Sequence, residues 1–197
     1  MGKHYSIIYS IEGTRTMIMI LGDSASGKST IERMLEKNGL SRIISYTSRP
    51  IRDGEENHVD YHFLSDKEFI SQKILGFFVE STLYNGWHYG VSKNDIDNPS
   101  SIIVVEPNGY RQIKKFCETT QTPYISFYIQ TPQRERIIRM MKRGDNIMES
   151  FRRVISDQGS FNGIEHEVSY VVSNDRPIEE TLEEIEDILD RHQGCWK

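Results

Sequence analysis

The apolar residues of this chain fall into short unbroken runs, separated by stretches in which they recur three and four positions apart. Met17-Ile18-Met19-Ile20-Leu21 is such a run, the mark of a strand buried on both faces. After it Ile31, Met34 and Leu35 recur at helical spacing, and Gly39 supplies a stop. Ser101 to Val105 and Pro123 to Ile129 read as two more buried strands, with a helix over Tyr110 to Thr119 between them. Thr131 and Pro132 form an N-cap pair that opens a long helix. Tyr170-Val171-Val172 is a last short strand. Ile178, Leu182, Ile185 and Leu189 line one side of a C-terminal helix whose acidic residues form a solvated face. Strands alternating with helices predict an α/β fold with a mostly parallel sheet covered on both faces.

Between residues 46 and 96 this rhythm breaks. Ile43 to Ser45 reads as the end of a second strand. Residues 46–62 are too polar for core, and Pro50 and Gly54 bend them. Ser65-Asp66-Lys67-Glu68 is a capping box that starts a short helix. Phe77 to Thr82 and Leu83 to Val91 are strand-like, with Asn85-Gly86 as a hairpin signal. The region reads as a small mixed lobe inserted into the core, and the arginine-rich helical stretch 139–157 as a second, mobile one. The expected layout is one domain over 1–197: core at 17–44, 97–138 and 158–197, inserted lobe at 45–96, lid at 139–157. In residues 1–16, Tyr5, Ile7, Tyr9 and Ile11 alternate like a strand, which predicts an extra edge strand or a loosely held extension without assigned function.

Composition narrows the function classes. With 27% charged and 37% hydrophobic residues among 197, the chain reads as a soluble globular protein. Its net charge of −5 argues against nucleic acid as a partner, which needs a basic footprint. No apolar run approaches a membrane span and no signal-peptide pattern opens the chain. Cys117 and Cys195 are too far apart for metal spacing, so a reduced, cytoplasmic setting is expected.

The chemistry is concentrated in Gly22-Asp23-Ser24-Ala25-Ser26-Gly27-Lys28-Ser29, which fits the phosphate-binding pattern G-x-x-x-x-G-K-[ST] between a strand and a helix. The glycines let the backbone curl round a phosphate, and successive N–H groups with the helix N-terminus supply positive potential. Lys28 reaches the terminal phosphates, Ser29 suits a magnesium ion, and Thr30 continues the cradle. A second stretch, Ser45-Tyr46-Thr47-Ser48-Arg49-Pro50-Ile51-Arg52-Asp53-Gly54-Glu55, places two arginines in a bent loop. Alone, it fits either a bidentate phosphate clamp or a solvated loop. Arg136, Arg139 and Arg143 lie three and four apart on one helix face, with Ile137, Ile138, Met140 and Met141 expected on the buried side and Arg152 and Arg153 following on the next helix. His58 and His62 are four apart in a non-helical segment and read as surface or packing residues rather than metal ligands.

The stretch from Ile44 to Phe63 resembles the signature segment of guanylate kinases, and Phe77 to Gly90, with Val79-Glu80 and His88-Tyr89-Gly90, resembles that family's next block. The likeness runs from about Met17 to Leu189 and keeps the family's order of loop, arginine signature, Glu/Tyr block and arginine lid. It implies a P-loop parallel sheet flanked by helices, with an inserted monophosphate-binding lobe and a helical lid. It implies transfer of the ATP γ-phosphoryl group to GMP or dGMP with Mg²⁺. Arg49, Arg52, Tyr61 and Tyr89 would bind the acceptor phosphate, Ser45 and Glu80 the guanine edge, and Glu55 would lie near the magnesium. Arg139, Arg143 and Arg153 would close on the phosphoryl groups, with Lys28, Arg49, Arg139 and Arg143 carrying catalysis. Two positions depart from the family pattern. Val91 stands where a small hydroxyl residue follows Tyr-Gly, with Ser92 adjacent, and Val104 replaces the first of two alternating carboxylates while Glu106 keeps the second. The readings left beside this one are a same-fold kinase with another acceptor, a non-catalytic binding module and an ATP hydrolase. The expected partners are small nucleotides alone, with the protein a monomer or a homodimer.

Overall fold

A computed structural model of the chain describes residues 16–193 apart from 53, 85 and 97–99. Tyr5, Ile7, Tyr9, Ile11, Asn85 and Cys195 lie outside the described residues, and so does the expected N-terminal strand. The elements that carry the site are β1 (Met17–Leu21), α1 (Lys28–Lys37), β2 (Ser41–Arg42), β7 (Ser101–Val104), α4 (Pro107–Thr120), β8 (Tyr124–Gln130), β9 (Tyr170–Ser173) and α7 (Ile178–Gln193). The five strands form one sheet in the order β2-β7-β1-β8-β9, and every neighbouring pair is parallel. β1 is therefore central, flanked by strands that follow it much later in the chain.

Alternation along β1 divides the core in two. Met17, Met19 and Leu21 pack with Ile103, Tyr110, Ile113 and Cys117 under α4. Ile18 and Ile20 face the opposite way, into Ile31 and Leu35 of α1 and Ile185, Ile188 and Leu189 of α7. All five β1 side chains are buried, as an unbroken apolar run requires. The loop after β1 leaves the carboxyl end of the sheet, where open α/β sheets place their ligands. This is the phosphate-binding-loop α/β fold that the pattern predicted.

A second sheet, ordered β4-β3-β6-β5, is built from β3 (Tyr46–Thr47), β4 (His62–Phe63), β5 (Phe78–Tyr84) and β6 (Trp87–Ser92). β5 and β6 pair antiparallel across the turn that contains Gly86, whose φ is 80°. Leu83 lies in the first of these strands, which ends at Tyr84, rather than opening the second. α2 (Asp66–Ile74) starts on the expected capping box: Ser65 accepts from the Glu68 amide while the Glu68 carboxylate accepts from the Ser65 amide.

Three local expectations are corrected. The second strand is Ser41–Arg42, not Ile43 to Ser45; Ile43 is buried core, and Tyr46 already belongs to the other sheet. Pro132 itself occupies the cap of α5 (Gln133–Lys142), because the Thr131 hydroxyl is turned inward and donates to the Ser26 carbonyl at 3.1 Å. The sides of α5 are also not divided as its pattern suggests. Arg136 is 7% exposed, whereas Met141 is 70% exposed and Ile137 is exposed as well. Paired carboxylates, described below, draw the arginine inward.

Candidate functional site

The loop between β1 and α1 is shaped by its glycines and by one asparagine from far along the chain. A Cβ at Gly22 would lie 2.6 Å from Ser26 Oγ and 2.7 Å from the Ile129 carbonyl. Gly27 has a φ of 104°, and a Cβ there would meet Asn174 Nδ2 at 2.3 Å. Asn174 is fully buried just past β9. Its Nδ2 donates to the Ser26 carbonyl at 2.7 Å, and its Oδ1 accepts from Thr181 Oγ1 at 3.2 Å. It braces the loop from behind, where the first turn of α1 begins with the Thr30 amide donating to the Gly27 carbonyl at 3.0 Å.

Within this loop Lys28 Nζ donates to the carbonyls of Gly22 and, at 2.8 Å, Asp23. Desolvation lowers the lysine's pKa, against the attraction of Glu106, Asp157 and Asp23. Ser29 and Thr30 are exposed at the first turn of α1. Among the described residues no cluster of three or more His, Cys, Asp or Glu is placed to hold a metal. Magnesium bound with a nucleotide needs no such cage: one or two protein oxygens suffice beside phosphate and water. The exposed Ser29 hydroxyl and the Glu106 carboxylate, close enough to Lys28 to act on its charge, fit that requirement. Val104 supplies no carboxylate, yet one arrives there from α1. Glu32 accepts from the Val104 amide at 3.1 Å, and burial pushes its carboxyl up to about 7.

In the arginine signature Arg49 is buried and held by its neighbours, whereas Arg52 is exposed. Arg49 is 7% exposed. Its Nη2 and Nη1 meet the two Glu55 oxygens at 2.8 and 3.1 Å, and Nη1 also donates to the Pro50 carbonyl at 2.9 Å. Its guanidinium lies 5.6 Å from the Tyr61 ring centre and 5.7 Å from that of Phe63. Tyr61 in turn packs edge-on against Tyr89 at 6.1 Å. Glu55 raises the Arg49 pKa, and Tyr89 adds to this more weakly. Glu55, which the family resemblance sets near magnesium, has its carboxylate on Arg49 and on the Arg52 amide, at 2.9 Å, in this structure. Arg49 holds its carboxyl below the usual range.

Glu80 and Glu106 join the two halves. Glu80 is 8% exposed on β5 and lies against Gly109, where a Cβ would come within 3.5 Å of its Oε1. Gly109 is in the first turn of α4, and Glu106 is that helix's N-cap. Desolvation pushes Glu80 up to about 7, with Lys73 drawing it partly down. Burial also raises Glu106, against the pull of Lys28. The Ser45 carbonyl accepts from the His62 amide at 2.9 Å, within the second sheet. Val91 is buried opposite Glu80 in the strand register. The Ser92 hydroxyl donates to Asp95 Oδ2 at 2.5 Å and accepts from the Asp95 amide at 3.3 Å, capping α3 (Lys93–Ile96).

The lid arginines divide by environment. Arg139 lies on the loop, donating to the Ser26 carbonyl at 3.2 Å and the Asn174 carbonyl at 2.7 Å. Arg143, at the end of α5, pairs with Asp145 at 2.7 Å on the surface. Arg153 is exposed on α6 (Ile147–Asp157). Arg136 bridges Asp23 at 3.2 Å and Asp157 at 3.3 Å. His58 and His62 face each other through Nδ1 atoms 2.7 Å apart, with the His62 ring tilted 30° against Tyr46 at 4.4 Å. Asn174, Asp157 and Glu32 escaped the sequence reading, since no spacing rule connects them to the loop.

The guanylate kinase family model matches residues 14–192. A guanylate kinase from Wolbachia sp. subsp. Brugia malayi (strain TRS) is 29% identical over 189 residues, covering 93% of this chain and 96% of the relative. One from Hahella chejuensis (strain KCTC 2396) is 29% identical over 183 residues, covering 88% and 85%. The crystal structure of guanylate kinase from Anaplasma phagocytophilum is similar with a TM-score of 0.65 at 28% identity, covering 91% of this chain and 87% of that one.

Proposed function

The chain belongs to the guanylate kinase family of ATP-dependent nucleoside monophosphate kinases, and we propose that its site transfers the γ-phosphoryl group of ATP to GMP or dGMP, releasing ADP and GDP or dGDP. The observation that carries this reading is that the Lys28 loop lies within electrostatic reach of Glu106, the N-cap of α4, whose first turn sets Gly109 against the buried carboxylate of Glu80. Gly22 to Thr30 cradle the donor phosphates. Arg49, Arg52, Tyr61 and Tyr89 hold the acceptor phosphate for in-line attack, with no covalent intermediate. Magnesium, when bound, would offset the charge of the donor phosphates. Ser29 is the residue to hold it, while the place of Glu55 on Arg49 favours an acceptor-side role for that carboxylate. Arg139, Arg143 and Arg153 close over the transferring group and exclude water.

Ionised Glu80 accepts from guanine N1–H and the exocyclic amine, a donor pair that adenine lacks on this edge. In this reading Ser45 and Glu106 complete the contacts to guanine. A coupled assay of ADP release over a panel of monophosphates tests the acceptor. GMP and dGMP are the expected preferred substrates. A preference for another monophosphate would move the assignment, and inertness towards all of them with ligand binding retained would indicate a binding module.

The same carboxylate gives a pH signature. Its pKa is raised from 4.5 to about 7, so the proton is held more tightly in the folded protein than in the unfolded chain. Its contribution to stability therefore falls as pH rises through that window. Its capacity to accept from guanine rises over the same window. The kcat/KM for GMP is expected to climb towards pH ~7 and level off above it. Glu80→Gln removes that limb together with the GMP preference; an unchanged limb in this variant would assign it to another group.

A further inference from the structure

The donor loop carries a carboxylate, Asp23, at a position that its phosphate-binding fingerprint leaves variable. Asp23 Oδ2 accepts from the Tyr128 hydroxyl at 2.8 Å, and Oδ1 lies 3.2 Å from Arg136 Nη2. A second carboxylate comes from Asp157, the last residue of α6. It accepts from the Ser24 amide at 2.7 Å and from Ser24 Oγ at 3.2 Å, and it meets Arg136 Nη1 at 3.3 Å. One guanidinium from α5 thus spans a carboxylate of the loop and a carboxylate at the far end of the lid. All three side chains are largely out of water: 9% exposed for Arg136, 15% for Asp23 and 12% for Asp157.

The charge balance gives this bridge its meaning. Asp23 and Asp157 both act on Lys28, so they lie within electrostatic reach of the phosphate cradle. With Arg136 present the trio carries one net negative charge; without it, two, beside a ligand that is itself a polyanion. Like charges in a partly desolvated site repel strongly. Arg136 is not aimed at the nucleotide, since it is buried and both its Nη groups are engaged.

We propose that Arg136 is a positioning residue for the donor nucleotide. It offsets one of the two negative charges of Asp23 and Asp157 beside the loop and holds Asp157, at the foot of the lid, on the Ser24 amide, so that both carboxylates are engaged rather than turned towards the incoming triphosphate. The inference rests on the assignment of Gly22 to Thr30 to the ATP phosphates.

Steady-state KM values for ATP and for GMP test it in Arg136→Met, Asp157→Asn and the double variant, with thermal unfolding measured alongside. Arg136→Met is expected to raise the KM for ATP by about tenfold or more while the KM for GMP stays within about twofold. Adding Asp157→Asn to that variant is expected to recover part of the loss, because it removes one of the two stranded charges while restoring no contact. Further loss in the double variant, or equal changes in both KM values, would reduce the trio to a packing strut and overturn the proposal. Should Arg136→Met fail to fold, Asp157→Asn alone still decides. It keeps an acceptor for Ser24 and cancels the net charge, so the KM for ATP is expected to hold or fall, and a tenfold rise would be contrary. Lys28→Ala, assayed in parallel, separates the two levels. If it leaves kcat and the KM for ATP unchanged, the assignment of the loop has failed, whatever Arg136 does.

Discussion

Lys28→Ala is expected to lower kcat by about a thousandfold, some 4 kcal/mol of transition-state stabilisation at ~1.4 kcal/mol per decade. The reasoning starts from where the ammonium rests. Its donors are spent on the Gly22 and Asp23 carbonyls, and desolvation works against its charge while Glu106, Asp157 and Asp23 work for it. A cation kept under these conditions is ready to exchange two weak carbonyl partners for phosphate oxygens. Its gain is largest when charge spreads over the transferring group, which is when the barrier is set. Alanine removes this interaction but leaves the loop's shape, because that shape comes from Gly22, Gly27 and the Asn174 brace. The KM for GMP should therefore change little, and the thermal midpoint should stay within a few degrees. Turnover within tenfold of the parent would refute the assignment of the loop to the reacting phosphates.

That the loop could be read in advance, and its brace could not, has a physical cause. The fingerprint is local. Gly22 and Gly27 are needed because backbone and side-chain atoms stand where a Cβ would be, and Lys28 follows on the next residue. β1 was legible for a similar reason, since a strand buried on both faces has no polar positions to interrupt it. Asn174 reaches Ser26 across 148 positions and Asp157 reaches Ser24 across 133, so no periodicity links either pair. The misplaced second strand is only two residues long, too short for alternation to register. The expected buried face of α5 failed because burial was inferred from apolarity alone. Arg136 is drawn inward by Asp23 and Asp157, whereas Met141 remains outside. For α5 the sequence showed which residue types were present, while the pairing of charges across the fold decided which of them went inside.

The same pairing governs the second large effect, at the acceptor clamp. Arg49→Ala is expected to reduce kcat/KM for GMP by about a thousandfold while leaving the KM for ATP near the parental value. Two losses combine. The acceptor phosphate loses a buried guanidinium already oriented by Glu55, the Pro50 carbonyl and the Tyr61 and Phe63 rings. In addition, Glu55 is left ionised and unpaired where the phosphate should arrive, since Arg49 is the main cause of its lowered pKa. Arg49→Lys is expected to recover no more than about a decade, because a point charge cannot meet both Glu55 oxygens and still present a donor to the phosphate. Arg49→Ala combined with Glu55→Gln should outperform Arg49→Ala alone, since the repelling carboxylate is gone although no cation has been restored. If lysine restored full activity, geometry would be irrelevant and the clamp would act only as a positive field. If the double variant were worse than the single, Glu55 would be acting directly on the reacting groups, for which its magnesium-side placement by family resemblance would be the first explanation to test.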